Sequence, residues 1–391
     1  MEGLRRLPRS VWLIGLISLL NDTASELVYP LLPLLLVGVL GAGPRILGLI
    51  EGLAEALSAL LKLASGVLSD RRGRSKPWIV SGYALAAVAR PLMALAGHWS
   101  AVFGLRVLDR VGKGLRSAPR DALLAASVDT GQRGLAFGLH RAMDNLGAVL
   151  GPLLAWLLLG AGVGVSELFL WTGVAGAACV GMALLLQEPP ATAPVERMRI
   201  DWRWSRLPPR LRRYLLVLAL FQLGNSANLF LLLRANELGT PDATVALYWA
   251  LASGVAVVFG LPASRWSDRI PRQRLLIAGW LLYAGLYLGF GLANDSAALP
   301  WLFAGFGLYL ALTEGAEKAL VADLASTARG TAYGWFHLIS GLTLLPASAM
   351  MGVLWQAVGA LPAFCVAAAL ALAAALCLPW ALASRTGDHP H

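Results

Sequence analysis

Charge is scarce in this chain. Of 391 residues only 14% are Asp, Glu, Lys or Arg, against about a quarter in a soluble domain. That scarcity excludes a water-soluble fold, which at this length needs far more polar surface. Cysteine is nearly absent as well. Cys179, Cys365 and Cys377 each sit inside an apolar run, so neither a disulfide framework nor a thiolate metal site is expected. The five histidines form no cluster of metal-ligand spacing with Cys or carboxylates. A P-loop and a nucleophile–base pair are also missing, and no soluble segment could carry ATP hydrolysis. An enzyme, a bound metal and a cofactor are therefore not expected. The basic N-terminus MEGLRRLPRS leads into an apolar run that is too long for a cleavable signal and contains Asn21, Asp22 and Glu26.

What is plentiful is apolar sequence. Hydrophobic residues make up 58% and the mean hydropathy is +0.67. Breaks at Gly, Pro and charge divide the chain into twelve runs: 11–39, 46–68, 77–97, 100–121, 133–159, 165–187, 213–234, 243–264, 275–293, 299–322, 330–357 and 361–383. Each is long enough to cross a bilayer as a helix. The net charge of +10 could suggest nucleic-acid binding, but the arginines lie between apolar runs rather than on one face. Alternate gaps hold Arg5, Arg6 and Arg9, then Arg71, Arg72, Arg74 and Lys76, then Arg133, then seven arginines from Arg197 to Arg213. Arg265, Arg269, Arg272, Arg274, Arg329 and Arg385 follow. The opposite gaps hold Arg45, with Arg234 at a helix end. This asymmetry sets both termini in the cytoplasm and indicates a multi-pass protein of a bacterial-type inner membrane.

The longest polar gap, 188–212, falls near the middle. It divides the chain into an N-terminal six-helix bundle (1–187), a cytoplasmic basic linker (188–212) and a C-terminal six-helix bundle (213–391). The halves resemble one another. Arg133-Gly134-Leu135-Ala136-Phe137-Gly138 opens the fifth run and Arg329-Gly330-Thr331-Ala332-Tyr333-Gly334 the eleventh. Ser69-Asp70-Arg71 follows the second run and Ser267-Asp268-Arg269 the eighth. Duplicated halves place a solute path between them, near mid-membrane.

Three motifs carry a family resemblance. Gly66-Val67-Leu68-Ser69-Asp70-Arg71-Arg72-Gly73-Arg74 resembles the major facilitator superfamily signature between helices 2 and 3. Arg106-Val107-Leu108-Asp109-Arg110-Val111-Gly112-Lys113-Gly114 resembles that family's helix-4 pattern, with Arg110 in place of a Gly. Gly147-Ala148-Val149-Leu150-Gly151-Pro152 is similar to the helix-5 motif of its drug/proton antiporters. The resemblance implies an all-α membrane protein with twelve transmembrane helices in two pseudo-symmetric six-helix bundles. It implies transport by alternating access, with export suggested by the helix-5 motif. It further implies a cytoplasmic latch of Asp70, Arg74 and Asp121, which the repeat mirrors in Asp268, Arg272 and Glu317.

Charge at mid-membrane is costly and persists where it faces a cavity or a partner. Counting along the helical rise puts Asp22, Glu55, Asp109, Arg110 and Asp144 near mid-depth, with Glu26 one turn beyond Asp22, Glu51 one turn above Glu55, Arg106 nearer the outside, and His140 and Arg141 below Asp144. The second half is milder, with Asn225 and Asn228 beside Gln222, and with Glu314. These twelve candidates, Glu51 and Gln222 aside, read as a proton-coupling and solute cavity with coupling in the first half, and Asp22 stands out because its own helix offers no base nearby. Pure ion-pair scaffolding is the competing reading for each. His140 and His337 either relay protons or pack, and Trp249, Trp280 and Tyr283 either line the cavity or pack. The expected function is a proton-coupled exporter of a small solute, acting as a monomer in the bilayer without nucleic acid. The alternatives are a proton-coupled importer of a small organic anion or nutrient, with the arginines of the fourth run as its anion site, and a membrane enzyme or receptor-like scaffold.

Overall fold

The structure is a computed structural model and describes residues 7–72, 74–129, 132–188, 204–325 and 329–383. The expected linker lies largely outside these. Among the described residues thirteen α-helices make twelve crossings: α1 (Arg9–Val28), α2 (Pro44–Arg72), α3 (Lys76–Leu92), α4 (Trp99–Ala126), α5 (Arg133–Gly160), α6 (Val165–Leu184), α7 (Pro209–Gly224) with α8 (Leu229–Glu237), α9 (Asp242–Arg269), α10 (Arg272–Leu292), α11 (Leu299–Leu324), α12 (Arg329–Val358) and α13 (Ala360–Leu382). Nine segments among the described residues have the length and hydropathy to cross a membrane on composition alone. The crossings that fall short are α2, α4 and α11, which carry interior charges.

The third crossing ends in a 3₁₀ turn (Met93–Leu95), and two others depart further from the regular helix expected. After Val28 the first continues as a 3₁₀ turn (Tyr29–Leu31) and a π-helical stretch (Leu34–Val39), where Pro30 and Pro33 each remove a backbone donor. The seventh is broken between Gly224 and Leu229, and side chains patch the break. Tyr283 Oη donates to Gly224 O at 2.9 Å, and Ala227 N–H donates to Ser348 Oγ at 3.0 Å.

Pseudo-symmetry is visible in the packing. In the first half α1 lies on α5 and α6, α2 on α4, and α3 on α4 and α6. In the second half α7 lies on α12 and α13, α9 on α11, and α10 on α11 and α13. Between halves α2 meets α12 and α5 meets α9, two contacts that the same two-fold exchanges. The backbone repeats it too. Positive φ occurs at Gly41, Gly162, Gly239 and Gly359, in the turns after crossings 1, 5, 7 and 11. All four lie at the end of the molecule away from the chain termini, hereafter the far end.

The two ends differ in packing. At the far end one apolar cluster runs through both halves, from Leu31, Leu35 and Leu36 to Phe230, Leu232 and Trp355. There α2 and α12 touch backbone to backbone. A Cβ on Gly352 would meet Pro44 O at 2.5 Å, and one on Gly48 would collide with Ser348 O. Toward the termini the first half has a separate core of Val11, Ile14, Ile17, Tyr83 and Leu124, which the second half does not share. The halves are thus sealed together at the far end and separately cored at the other.

Close helix contacts depend on absent side chains. A Cβ on Gly112 of α4 would lie 2.5 Å from Gly82 O of α3, whereas Gly104 on the same helix has nothing within 4 Å. Gly112→Val is expected to destabilise the protein by about 1–3 kcal/mol through overpacking. Gly104→Ala is expected to be neutral or to stabilise by up to about 1 kcal/mol. Thermal unfolding of the purified protein in one detergent checks both.

Candidate functional site

A cavity of about 430 Å³ lies between the halves. Its first-half wall is charged: Asp22 and Glu26 from α1, Glu51 and Glu55 from α2, Arg110, Lys113 and Arg116 from α4. Its second-half wall is polar but neutral, formed by Gln222, Asn225, Ser226, Asn228, Trp249 and Ser340.

Behind the charged wall runs a buried ion-pair network. Arg106 grips Glu51 with two nitrogens, Nε to Oε2 at 2.9 Å and Nη2 to Oε1 at 2.8 Å. Its Nη1 reaches Asp109 Oδ2 at 3.4 Å. Arg90 of α3 closes on Asp109 Oδ1 at 2.9 Å and also donates to Asn21 O on α1 at 3.2 Å. Arg110 lies 3.3 Å from Glu51 and 2.9 Å from Glu55, the latter an ion pair without hydrogen-bond alignment. Lys113 lies 3.4 Å from Glu55. Glu51, Asp109, Arg90, Arg106 and Arg110 are all buried. Two-nitrogen guanidinium contacts of this kind are among the stronger ones available to carboxylates.

Asp22 and Glu26 stand outside that network. Among the described residues neither has a basic nitrogen within the 4.0 Å of an ion pair. Asp22 accepts from Asn21 Nδ2 at 2.9 Å. Glu26 accepts from Trp249 Nε1 of the opposite half at 2.9 Å, and Tyr29 packs on Trp249 with ring centroids 5.4 Å apart. The helix-5 glycines set this wall in place. A Cβ on Gly147 would lie 2.8 Å from Leu19 O and 3.0 Å from Asp22 Cβ, and one on Gly151 would lie 2.6 Å from Thr23 O and 2.8 Å from Glu26 Cβ. Their missing side chains let α1 approach α5 at the two turns that carry the acids.

Of the residues expected from sequence, Asp22, Glu26, Glu55, Arg110, Asn225 and Asn228 line the cavity, and Arg106 and Asp109 lie behind it. His140 and Asp144 are joined elsewhere, Ser18 Oγ to His140 Nε2 at 2.8 Å and His140 Nδ1 to Asp144 Oδ2 at 3.4 Å. Arg120 donates to the same Ser18 Oγ at 3.2 Å. Arg141 forms an ion pair with Glu314 across the halves, and Lys318 joins Glu314 at 3.0 Å. Trp249 lines the cavity, while Trp280 and Tyr283 are fully buried in the second half's core.

The expected latch residues are arranged differently from the repeat's prediction. Asp121 pairs with its neighbour Arg120 at 3.0 Å, and Arg74 is exposed. Arg272 pairs with Asp323, not with Glu317. Glu317 is buried and accepts from Trp280 Nε1 at 3.3 Å. Glu317 and Asp323 both face α10, but Arg272 lies about two turns nearer the chain termini than Trp280, so Asp323 rather than Glu317 stands at its level. The side chains of Asp70 and Asp268 lie outside the described residues.

Arg90, Lys113 and Arg116 went unanticipated. Arg90 was detectable as a solitary base in the third apolar run. Lys113 and Arg116 follow Arg110 at intervals of three, a spacing that keeps them near one helix face.

The sequence pattern of the Major Facilitator Superfamily matches residues 14–308 and 214–391. The chain belongs to this superfamily. It is 34% identical over 365 residues to an uncharacterized MFS-type transporter of Methanocaldococcus jannaschii, covering 91% of this chain and 90% of that one. To the multidrug resistance protein MdtH of Cronobacter sakazakii it is 28% identical over 319 residues, covering 80% and 78%. Among solved structures it superposes on the nucleoside transporter NupG with a TM-score of 0.78 at 13% identity, covering 97% and 100%. For a D-xylose–proton symporter the TM-score is 0.74 at 15% identity, covering 94% and 96%. The superfamily protein is a multi-pass membrane transporter rather than an enzyme.

Removing one member of a buried pair costs more than removing both, because a lone buried charge remains. Arg106→Gln is expected to destabilise by about 3–5 kcal/mol. Glu51→Gln with Arg106→Gln is expected to recover much of that loss. Thermal unfolding of both single mutants and the double mutant measures the coupling.

Proposed function

We propose that this superfamily member is a proton-coupled exporter that exchanges a small solute for protons across the inner membrane. The observation that carries the reading is the contrast within one wall. Glu51, Glu55 and Asp109 each have a guanidinium or ammonium partner, while Asp22 and Glu26 face the cavity with none. A carboxylate that no base holds ionised is the one free to take up and give back a proton.

In this reading residues 1–187 and 213–391 are the two moving halves, joined by the linker 188–212. The arginine-rich end is cytoplasmic, as the positive-inside bias requires, so both termini lie there. The far-end seal then closes the outer side and the separately cored end faces the cytoplasm, the side from which an exporter loads. Likeness to MdtH adds support for efflux. Asp22 and Glu26 are the coupling acids, and Asn225 and Asn228 contribute neutral contacts to the solute. His140, hydrogen-bonded to Ser18 and in contact with Asp144, lies beside the path. The Arg141–Glu314 pair already bridges the halves on the cytoplasmic side of the cavity, and Asp70, Arg74, Asp121, Asp268 and Arg272 belong to the surface that closes around it.

The importer reading draws on the bases of α4, which could hold an organic anion. Counterflow in proteoliposomes with an imposed pH gradient separates the two, since an acidic exterior drives outward solute movement only in the exporter. In the same vesicles Asp22→Asn and Glu26→Gln are each expected to lower solute-driven proton flux at least about tenfold, a change equivalent to 1.4 kcal/mol. Wild-type flux in both single mutants and in the double mutant would exclude coupling at α1.

A further inference from the structure

The cavity wall is bipolar. Helix α1 contributes two acids and no base, Asp22 and Glu26. Helix α4 contributes three bases and no acid, Arg110, Lys113 and Arg116, of which Arg110 and Lys113 share Glu55. The two poles belong to different packing groups, since α1 lies chiefly on α5 and α6 while α4 lies on α2 and α3. The acid pole is lined by aromatic rings, with Trp249 against Tyr29. At the basic pole Arg116 is 5% exposed and has no carboxylate within ion-pair distance among the described residues. Its guanidinium lies 4.7 Å from the Tyr83 ring centre and 3.5 Å from Gly82 O. It borders the cavity, so a guanidinium without a carboxylate partner is presented to the solute space, where an oxyanion is its natural complement.

With both α1 acids ionised, the charges of this cluster balance. Asp22, Glu26, Glu51, Glu55 and Asp109 face Arg90, Arg106, Arg110, Lys113 and Arg116. An organic cation bound at α1 would leave the cluster one charge positive, and an organic anion at α4 would leave it one negative. In a low-dielectric interior either excess is penalised. A solute carrying both signs leaves the balance unchanged and supplies each unpaired wall with its partner.

We infer that the solute is a small zwitterion, its ammonium held by Asp22 and Glu26 beside Trp249 and its carboxylate or other oxyanion held by Arg116 and Lys113. The inference rests on the cavity being the solute site proposed above. A proton arriving on Asp22 or Glu26 then competes directly with the ammonium, so protonation loosens the cationic end while the anionic end still holds. The cavity volume suits a compact molecule.

The test is direct binding to the purified full-length protein by calorimetry, with proton release followed by a pH dye in weak buffer. The probes are matched triplets drawn from aromatic amino acids, dipeptides and amphoteric aromatic acids. Each triplet holds the zwitterion, its methyl ester (a cation) and its N-acetyl form (an anion). The expected result is that zwitterions bind at least about tenfold tighter than either partner in their triplet. Arg116→Gln is expected to shrink the gap between zwitterion and ester to less than about threefold, and Arg116→Lys to restore part of it. Should Arg116→Gln fail to fold, Lys113→Gln gives the same reading at the exposed end of the basic pole. Esters binding as tightly as zwitterions, or no zwitterion of the panel binding, overturns the inference. Esters that bind and release protons would leave the antiport reading standing while sinking this one. Zwitterions that bind without proton release would do the reverse.

Discussion

The grip of Arg106 on Glu51 is the interaction on which the rest of the first half depends. A carboxylate at that depth persists only with a partner, and one guanidinium satisfies both of its oxygens. The pair fixes α4 against α2, and Asp109 extends the bond to α3 through Arg90. Three helices are thereby held in one register by charges that have nowhere else to go. The network also shapes the proposed coupling site. By consuming the acids of α2 and α4 internally, it leaves α1 as the source of unpaired carboxylates at the cavity.

Placement of those carboxylates is a matter of absent atoms. Gly147 and Gly151 allow α1 to rest on α5 where Asp22 and Glu26 emerge, and Gly48 and Gly352 allow α2 and α12 to meet at the far end. Small residues of this kind let helix backbones approach closely inside a membrane, where dispersion replaces the hydrophobic effect as the source of association.

The twelve crossings were legible because apolar length and the Arg and Lys bias are one-dimensional signals, and a sequence is one-dimensional. Depth was legible for the same reason, which is why Asp22, Glu26, Glu55 and Arg110 come together in the cavity. Direction around each helix axis was not. His140 and Asp144 have suitable depth on α5, yet they meet Ser18 and not the cavity liners. Glu317 has the depth of Asp121 in the repeat and faces Trp280. Arg116 is unremarkable in sequence, a base three residues beyond another base, and only the packing of Tyr83 and Gly82 around it shows that no carboxylate among the described residues pairs with it. The break in the seventh crossing leaves little trace, since Asn225, Ser226 and Asn228 are polar but compatible with a helix that faces a cavity.

That break has a mechanical meaning. Between Gly224 and Leu229 the rod has already given up its own ladder and hands those backbone groups to Tyr283 and Ser348. Bending an intact helix there would first have to rupture several peptide bonds' worth of pairing. In the alternating-access reading, a joint already spliced by neighbouring hydroxyls is the place where the seventh crossing would bend as the halves rock, with those links kept.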